Sequence, residues 1–129
     1  MADGQLVHLR LAVVDPRRAA AFYGAVFGWR VLGEGADGIQ FEAPGGLRGT
    51  FWVGGQPSSA GPELFLEVRG IEAVVRRALA LGALRIARVG PGPGGVRLAQ
   101  LLDPEGNRVG VWEAPTTGGS PPFTSGERA

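Results

Sequence analysis

The sequence predicts an α+β fold in which one unit, β-α-β-β-β, occurs twice. Three observations predict it. In each half of the chain, apolar residues alternate with period two, the mark of a half-buried strand, and then recur with helical period. A small polar connector, Gly54–Pro62 (GGQPSSAGP), separates the halves, and the pattern restarts after it. A shift of 55 residues lays Leu11 on Leu66, Val13 on Val68 and Phe27-Gly28 on Gly82-Ala83.

The first strand is expected over Val7–Val14. Val7, Leu9, Leu11 and Val13 point one way, and His8, Arg10 and Ala12 the other. Asp15-Pro16 suits a helix start, with Asp15 as N-cap and proline at the first helical position. The helix runs from Arg17 to Phe27 with Ala19, Phe22, Tyr23 and Val26 as its apolar stripe, and Gly28 ends it. Phe22, Tyr23, Phe27 and Trp29 are assigned to the core. Three short strands follow: Trp29–Gly33, Ile39–Glu42 and Gly49–Val53. Turn residues at Gly35–Gly38 and Pro44–Gly46 separate them.

In the second half, Glu63–Val68 alternates, with Leu64, Leu66 and Val68 opposite Glu63, Phe65 and Glu67. Ile71–Leu81 is an amphipathic helix ended by Gly82. Leu84–Val89 is a strand, and Pro91–Gly95 is a loop that cannot continue it. Val96–Leu102 and Arg108–Glu113 are the last strands, joined by a turn over Asp103–Asn107. In that turn proline fixes φ, while Gly106 and Asn107 tolerate a positive one. Thr116–Ala129 lacks periodicity and reads as a flexible tail. One domain over residues 1–115 is expected, with modules at about 6–54 and 62–114. In the 55-residue register His8 falls on Glu63, each on the strand face turned away from its helix.

Composition narrows the chemistry. The 129 residues suffice for one core without staples. There is no cysteine, which excludes disulfides, zinc–thiolate sites, iron–sulfur ligation and thiol catalysis. All 13 basic side chains are arginine, so neither a Schiff-base lysine nor a phosphate-loop lysine exists. The Gly-rich Pro91–Gly95 stretch therefore carries no phosphate-binding signal. A net charge of +1 argues against a nucleic-acid partner. No apolar run is long enough to span a membrane. MADGQLVHLR shows no signal-peptide pattern, so a cytoplasmic protein is expected.

Two motifs near opposite ends carry a resemblance. The segment Val7-His8-Leu9, Val14-Asp15-Pro16-Arg17-Arg18-Ala19, Phe22-Tyr23 and Phe27-Gly28-Trp29 resembles the opening of the vicinal oxygen chelate superfamily. That superfamily includes glyoxalase I, bleomycin-resistance and fosfomycin-resistance proteins, and extradiol dioxygenases. Leu102-Asp103-Pro104-Glu105-Gly106-Asn107-Arg108-Val109-Gly110-Val111-Trp112-Glu113 is similar to its closing hairpin. The resemblance runs from about Leu6 to Glu113. It implies that the two βαβββ modules form an open half-barrel with a concave cavity, and that the chain forms a homodimer. In metal-dependent members four side chains, one from the first and last strand of each module, line that cavity. Carried over, the four positions are His8, Thr50, Glu63 and Gly110.

These four make a poor metal site. Catalytic zinc, nickel, manganese or iron needs at least three protein ligands. His8 and Glu63 supply two; threonine is a weak ligand and glycine none. Glu67 shares the face of Glu63 but lies about 7 Å along the strand. Glu113 faces away from Gly110 and Trp112. His8 and Glu63 thus stand as vestigial metal positions or as a catalytic pair, His8 the base and Glu63 its orienting partner. The plainer reading of His8 is a cavity residue bonded to a neighbour such as Glu63. Arg10 either pairs with Glu67 at the cavity floor or stays free for an anionic ligand. Trp52, Phe65 and Trp112 are expected as cavity wall, with Thr50 and Gly110 beside them. The expected function is binding of an aromatic or drug-like metabolite without a complete metal site or other cofactor. The alternative is a lyase, isomerase or dioxygenase in which a divalent Zn, Ni, Mn or Fe ion holds vicinal oxygens of the substrate.

Overall fold

Asp15 opens the first helix as the sequence requires. Its carboxylate accepts a hydrogen bond from the Arg18 N–H at 3.1 Å, and Pro16 takes the first helical position. The computed structural model describes residues 4–60 and 62–115, and the expected tail over Thr116–Ala129 lies outside the described residues. The elements follow in the expected order. They are β1 (His8–Ala12), α1 (Pro16–Phe27), β2 (Arg30–Gly35), β3 (Gly38–Glu42), β4 (Arg48–Trp52), β5 (Leu64–Glu67), α2 (Ile71–Ala80), β6 (Leu84–Pro91), β7 (Arg97–Leu102) and β8 (Arg108–Glu113). Two four-stranded mixed sheets result, ordered β1-β4-β3-β2 and β5-β8-β7-β6. In each, the first strand lies parallel to the last, and the other pairs are antiparallel. The fold is therefore α+β with two βαβββ modules.

Most element ends shift by one or two residues from the sequence reading. One shift has a clear cause. β6 extends to Pro91, beyond the expected end at Val89, before a 3-10 turn over Pro93–Gly95. β6 is an edge strand with register breaks, where proline needs no ladder N–H.

The described residues divide into two compact units. The first reaches Ser59 and includes Pro104–Asn107; the second runs from Ala60 to Asp103 and from Arg108 onward. In the first unit, α1 lays Ala19, Phe22 and Tyr23 on the face of the sheet that carries Leu11, Ile39, Phe41 and Phe51. The core is aromatic. Tyr23 stacks on Trp29 and Trp29 on Phe41, with ring centroids 4.5 and 4.6 Å apart. Phe27, assigned to the core, is only half-buried at the helix end. Gly28 follows it in the left-handed conformation (φ 75°) that terminates α1. Gly38, where β3 leaves the hairpin, has φ 138°, and a Cβ there would lie 1.8 Å from the Phe51 carbonyl oxygen.

The turn Pro104–Asn107 does more than reverse the chain. The Glu105 carboxylate accepts from the Val14 and Asp15 N–H groups at 2.6 and 3.3 Å, and from the Arg18 guanidinium. Asn107 donates to the Ala12 carbonyl at 2.7 Å and accepts from the Ser58 N–H at 2.9 Å. Only Gly106 takes a positive φ there, so Asn107 acts through its amide rather than through backbone tolerance.

The second unit has an aliphatic core. Ile71, Val75 and Ala78 of α2 are buried, as are Ala99, Leu101, Val109 and Val111 of β7 and β8. Gly70 has no side chain with which to cap α2. Glu113 supplies the carboxylate instead, accepting from the Gly70 and Ile71 N–H groups at 2.6 and 3.4 Å. It thus faces α2, on the side opposite Gly110 and Trp112, as strand alternation expects. The Gly70 N–H bond leads in holding the Glu113 carboxyl below its usual value, with Ile71 and Arg97 adding to it. A depressed carboxyl contributes stability that is complete above its unfolded pKa and lost as pH falls through the folded one. Glu113→Gln is therefore expected to lose stability most near neutrality, and its gap to the parent should close as pH falls through the folded pKa, measured by urea denaturation followed by circular dichroism at a series of pH values.

Candidate functional site

Strand alternation sends Leu9, Leu11 and Val13 toward α1, which leaves His8, Arg10 and Ala12 on the other face of the first sheet. Register sets their neighbours. Arg10 pairs with Thr50 and Thr50 with Gln40, while Ala12 pairs with Trp52 and Trp52 with Gly38. These residues and the β2–β3 hairpin from Gly33 to Gly38 line a cavity of about 350 Å³. Its size is at the low end for small-molecule sites. Four sequence-predicted residues, His8, Arg10, Thr50 and Trp52, come together in it. Three others, Gln40, Glu34 and Asp37, were not singled out from the sequence. Gln40 had a signal: it is the lone polar residue between Ile39 and Phe41, so alternation alone turns it to this face.

Two of these side chains find partners within their own module. His8 Nε2 lies 3.0 Å from Thr50 Oγ1, and the pair share a hydrogen bond whose donor depends on the imidazole tautomer. The partner of His8 is therefore Thr50 of its own module, rather than Glu63. The hydroxyl is buried at the sheet centre and reaches His8 from the next strand, so it satisfies the ring locally. Arg10 places its guanidinium carbon 3.8 Å from the centroid of the Trp52 ring. That is a cation–π contact within the first unit, whereas Glu67, the ion-pair partner considered from the sequence, belongs to the second. Glu67 stands exposed on β5, in register with Trp112.

The second sheet repeats the geometry with different side chains. Phe65 pairs with Gly110 and Glu67 with Trp112, the positions that Arg10, Thr50, Ala12 and Trp52 hold in the first. Phe65 stacks on Trp112 with centroids 5.5 Å apart. The two tryptophans are thus covered alike, one by a guanidinium and the other by a phenyl ring. Glu63 accepts from Gln100 at 2.7 Å and from the Arg108 guanidinium at 3.1 Å. Gln100 is the repeat counterpart of Gln40, and sequence reasoning passed over it and Arg108. Phe65, Glu67, Gly110 and Trp112, expected as cavity wall, belong to this second sheet and do not line the cavity of the first.

The four positions implied by the resemblance do not suit a divalent ion. Thr50 is bonded to His8, and Glu63 is already engaged by an arginine. Gly110 lacks a side chain, and its space is filled: a Cβ there would lie 2.5 Å from the Phe65 ring. Among the described residues, no group of three or more His, Asp or Glu side chains is placed to hold a metal.

Comparison with known proteins places this arrangement. The chain resembles TioX from Micromonospora sp. ML1, with 25% identity over 87% of this chain and 100% of that one, at a TM-score of 0.66. A glyoxalase/bleomycin resistance protein/dioxygenase family enzyme from Burkholderia phytofirmans PsJN has 20% identity, with 87% and 100% of the two chains covered and a TM-score of 0.76. A glyoxalase-related enzyme from Fulvimarina pelagi has 20% identity, with 95% and 96% covered and a TM-score of 0.74. The last two likenesses show the fold alone. Comparison with curated proteins yields no match. No helix among the described residues is long and apolar enough to cross a membrane. The family model for the glyoxalase-like domain matches residues 8–112, nearly the whole span of both modules, and the chain belongs to that family.

Proposed function

We propose that the protein binds a small organic molecule in the cavity of its first module, without a divalent ion. The observation that supports this most directly is the cavity lining. An indole, a guanidinium, an imidazole–hydroxyl pair and a carboxamide converge on about 350 Å³. Few, fixed polar groups around an aromatic surface are the usual make-up of a ligand site. The state of the four family positions supports the metal-free part of the reading. An aromatic or drug-like metabolite remains the expected ligand class, with Trp52 as its stacking surface.

The alternative, a metal-dependent lyase, isomerase or dioxygenase, draws on His8 and Glu63, which occupy two of the four positions. It requires a further ligand that neither Thr50 nor Gly110 provides. Tryptophan fluorescence separates the readings. Trp29 is 7% exposed in the core, which leaves Trp52 and Trp112 as reporters. A panel of aromatic metabolites and antibiotics is expected to contain a quencher. Its effect should vanish in Trp52→Phe, persist in Trp112→Phe, and be the same with and without a chelator. Quenching that a chelator abolishes and a divalent ion restores would favour the enzyme.

A further inference from the structure

Two opposite charges line the cavity without meeting. Arg10 holds its guanidinium carbon over the Trp52 ring and has no ion pair among the described residues. Asp37, at the tip of the β2–β3 hairpin, accepts the Val53 N–H through its backbone carbonyl at 3.0 Å. Its carboxylate has no partner among the described residues. The remaining acid, Glu34, is engaged by Arg17 at 3.1 Å. Trp52 lies between the two free charges. It sits on β4, with β1 and Arg10 on one side and β3, led in by Asp37, on the other. The Arg10 guanidinium is held over Trp52, and no ion pair among the described residues joins it to Asp37.

The N–H edges of the Arg10 guanidinium have no hydrogen-bond partner among the described residues, and that fork matches the two oxygens of a carboxylate. A simple anion would satisfy Arg10 but meet Asp37 across the cavity; a dianion would be repelled. A molecule with a carboxylate at one end and a cationic N–H donor at the other satisfies both. We infer that the cavity takes an amphoteric ligand, its carboxylate on Arg10 and its amine on Asp37, its body lying across Trp52. The inference rests on the binding function proposed above and narrows it to a ligand class.

Three matched probes test it on the full, isotope-labelled chain: 4-(aminomethyl)benzoate, 4-methylbenzoate and 4-(aminomethyl)benzamide. Binding is read from amide shifts of β1 and β4. The zwitterion should bind most tightly, and removal of either charge should weaken binding roughly tenfold or more, the usual worth of a charge-assisted hydrogen bond. In Arg10→Gln the acid should lose its advantage over the amide. In Asp37→Asn the aminomethyl compound should lose its advantage over the methyl one. Both sites are exposed, so the variants should keep the parent spectrum away from the cavity. Equal binding of the three probes, or an order unchanged by both substitutions, would overturn the amphoteric ligand while leaving the cavity a binding site. No shift of the β1 and β4 amides by any probe at millimolar concentration would overturn both.

Discussion

Phe51→Ala is expected to destabilise the first module by about 3–5 kcal/mol, the range for removing a fully buried aromatic ring. Phe51 is 1% exposed. Its ring centroid lies 4.5 Å from that of Phe41, 5.6 Å from Tyr23 and 6.1 Å from Trp29. A stack of flat, rigid rings collapses poorly around a void, which favours the upper part of that range. The same strand carries Thr50 and Trp52 on its other face, so loosening Phe51 also loosens the cavity floor. Urea denaturation monitored by far-ultraviolet circular dichroism measures the loss. A cost below about 1 kcal/mol would mean that the stack does not anchor β4.

Glu105→Ala is expected to cost about 2–3 kcal/mol. The Glu105 side chain is 1% exposed, and its carboxylate takes two backbone N–H groups at the entrance to α1 as well as the Arg18 guanidinium. Alanine removes a buried charged acceptor, whose hydrogen bonds are worth about 1.5–3 kcal/mol, while the exposed Val14 and Asp15 N–H groups recover water. Arg18 is half exposed and recovers water, which holds the total toward the lower figure. Glu105→Gln keeps the shape and one good acceptor, so it should lose less. The same denaturation experiment ranks the two. Equal stability of Glu105→Ala and the parent would show that the turn is held by its backbone alone.

Local chemistry was legible in the sequence wherever a residue acts on its own neighbourhood. Asp15-Pro16 and Gly28 bracket α1 as read, and alternation placed His8 and Arg10 on one face and Leu9 and Leu11 on the other. The repeat was legible too, because both modules need the same apolar periods to cover a sheet with one helix. What alternation cannot supply is the neighbour. His8 meets Thr50, and Arg10 meets Trp52, because β1 lies parallel to β4, a pairing across some 40 residues of sequence. Before that register is known, Glu63 and Glu67 are equally reasonable partners.

The missing side chain of Gly110 was visible; the Phe65 ring that fills its place was not, since it arrives from β5 through another parallel pairing. The turn over Asp103–Asn107 was legible as a turn, but its side-chain contacts were not, for a related reason. Its proline and glycine explain its shape, but the work of Glu105 is done 91 residues away, at Val14.

The claim that the cavity works without a metal is tested most directly by metal content. Protein purified without an affinity tag or chelator, then incubated with nickel, zinc, manganese or iron(II) and desalted, is expected to retain no stoichiometric ion. His8→Ala and Glu63→Ala should give the same result as the parent. One bound equivalent in the parent, lost in both variants, would contradict the account and restore the chelate mechanism.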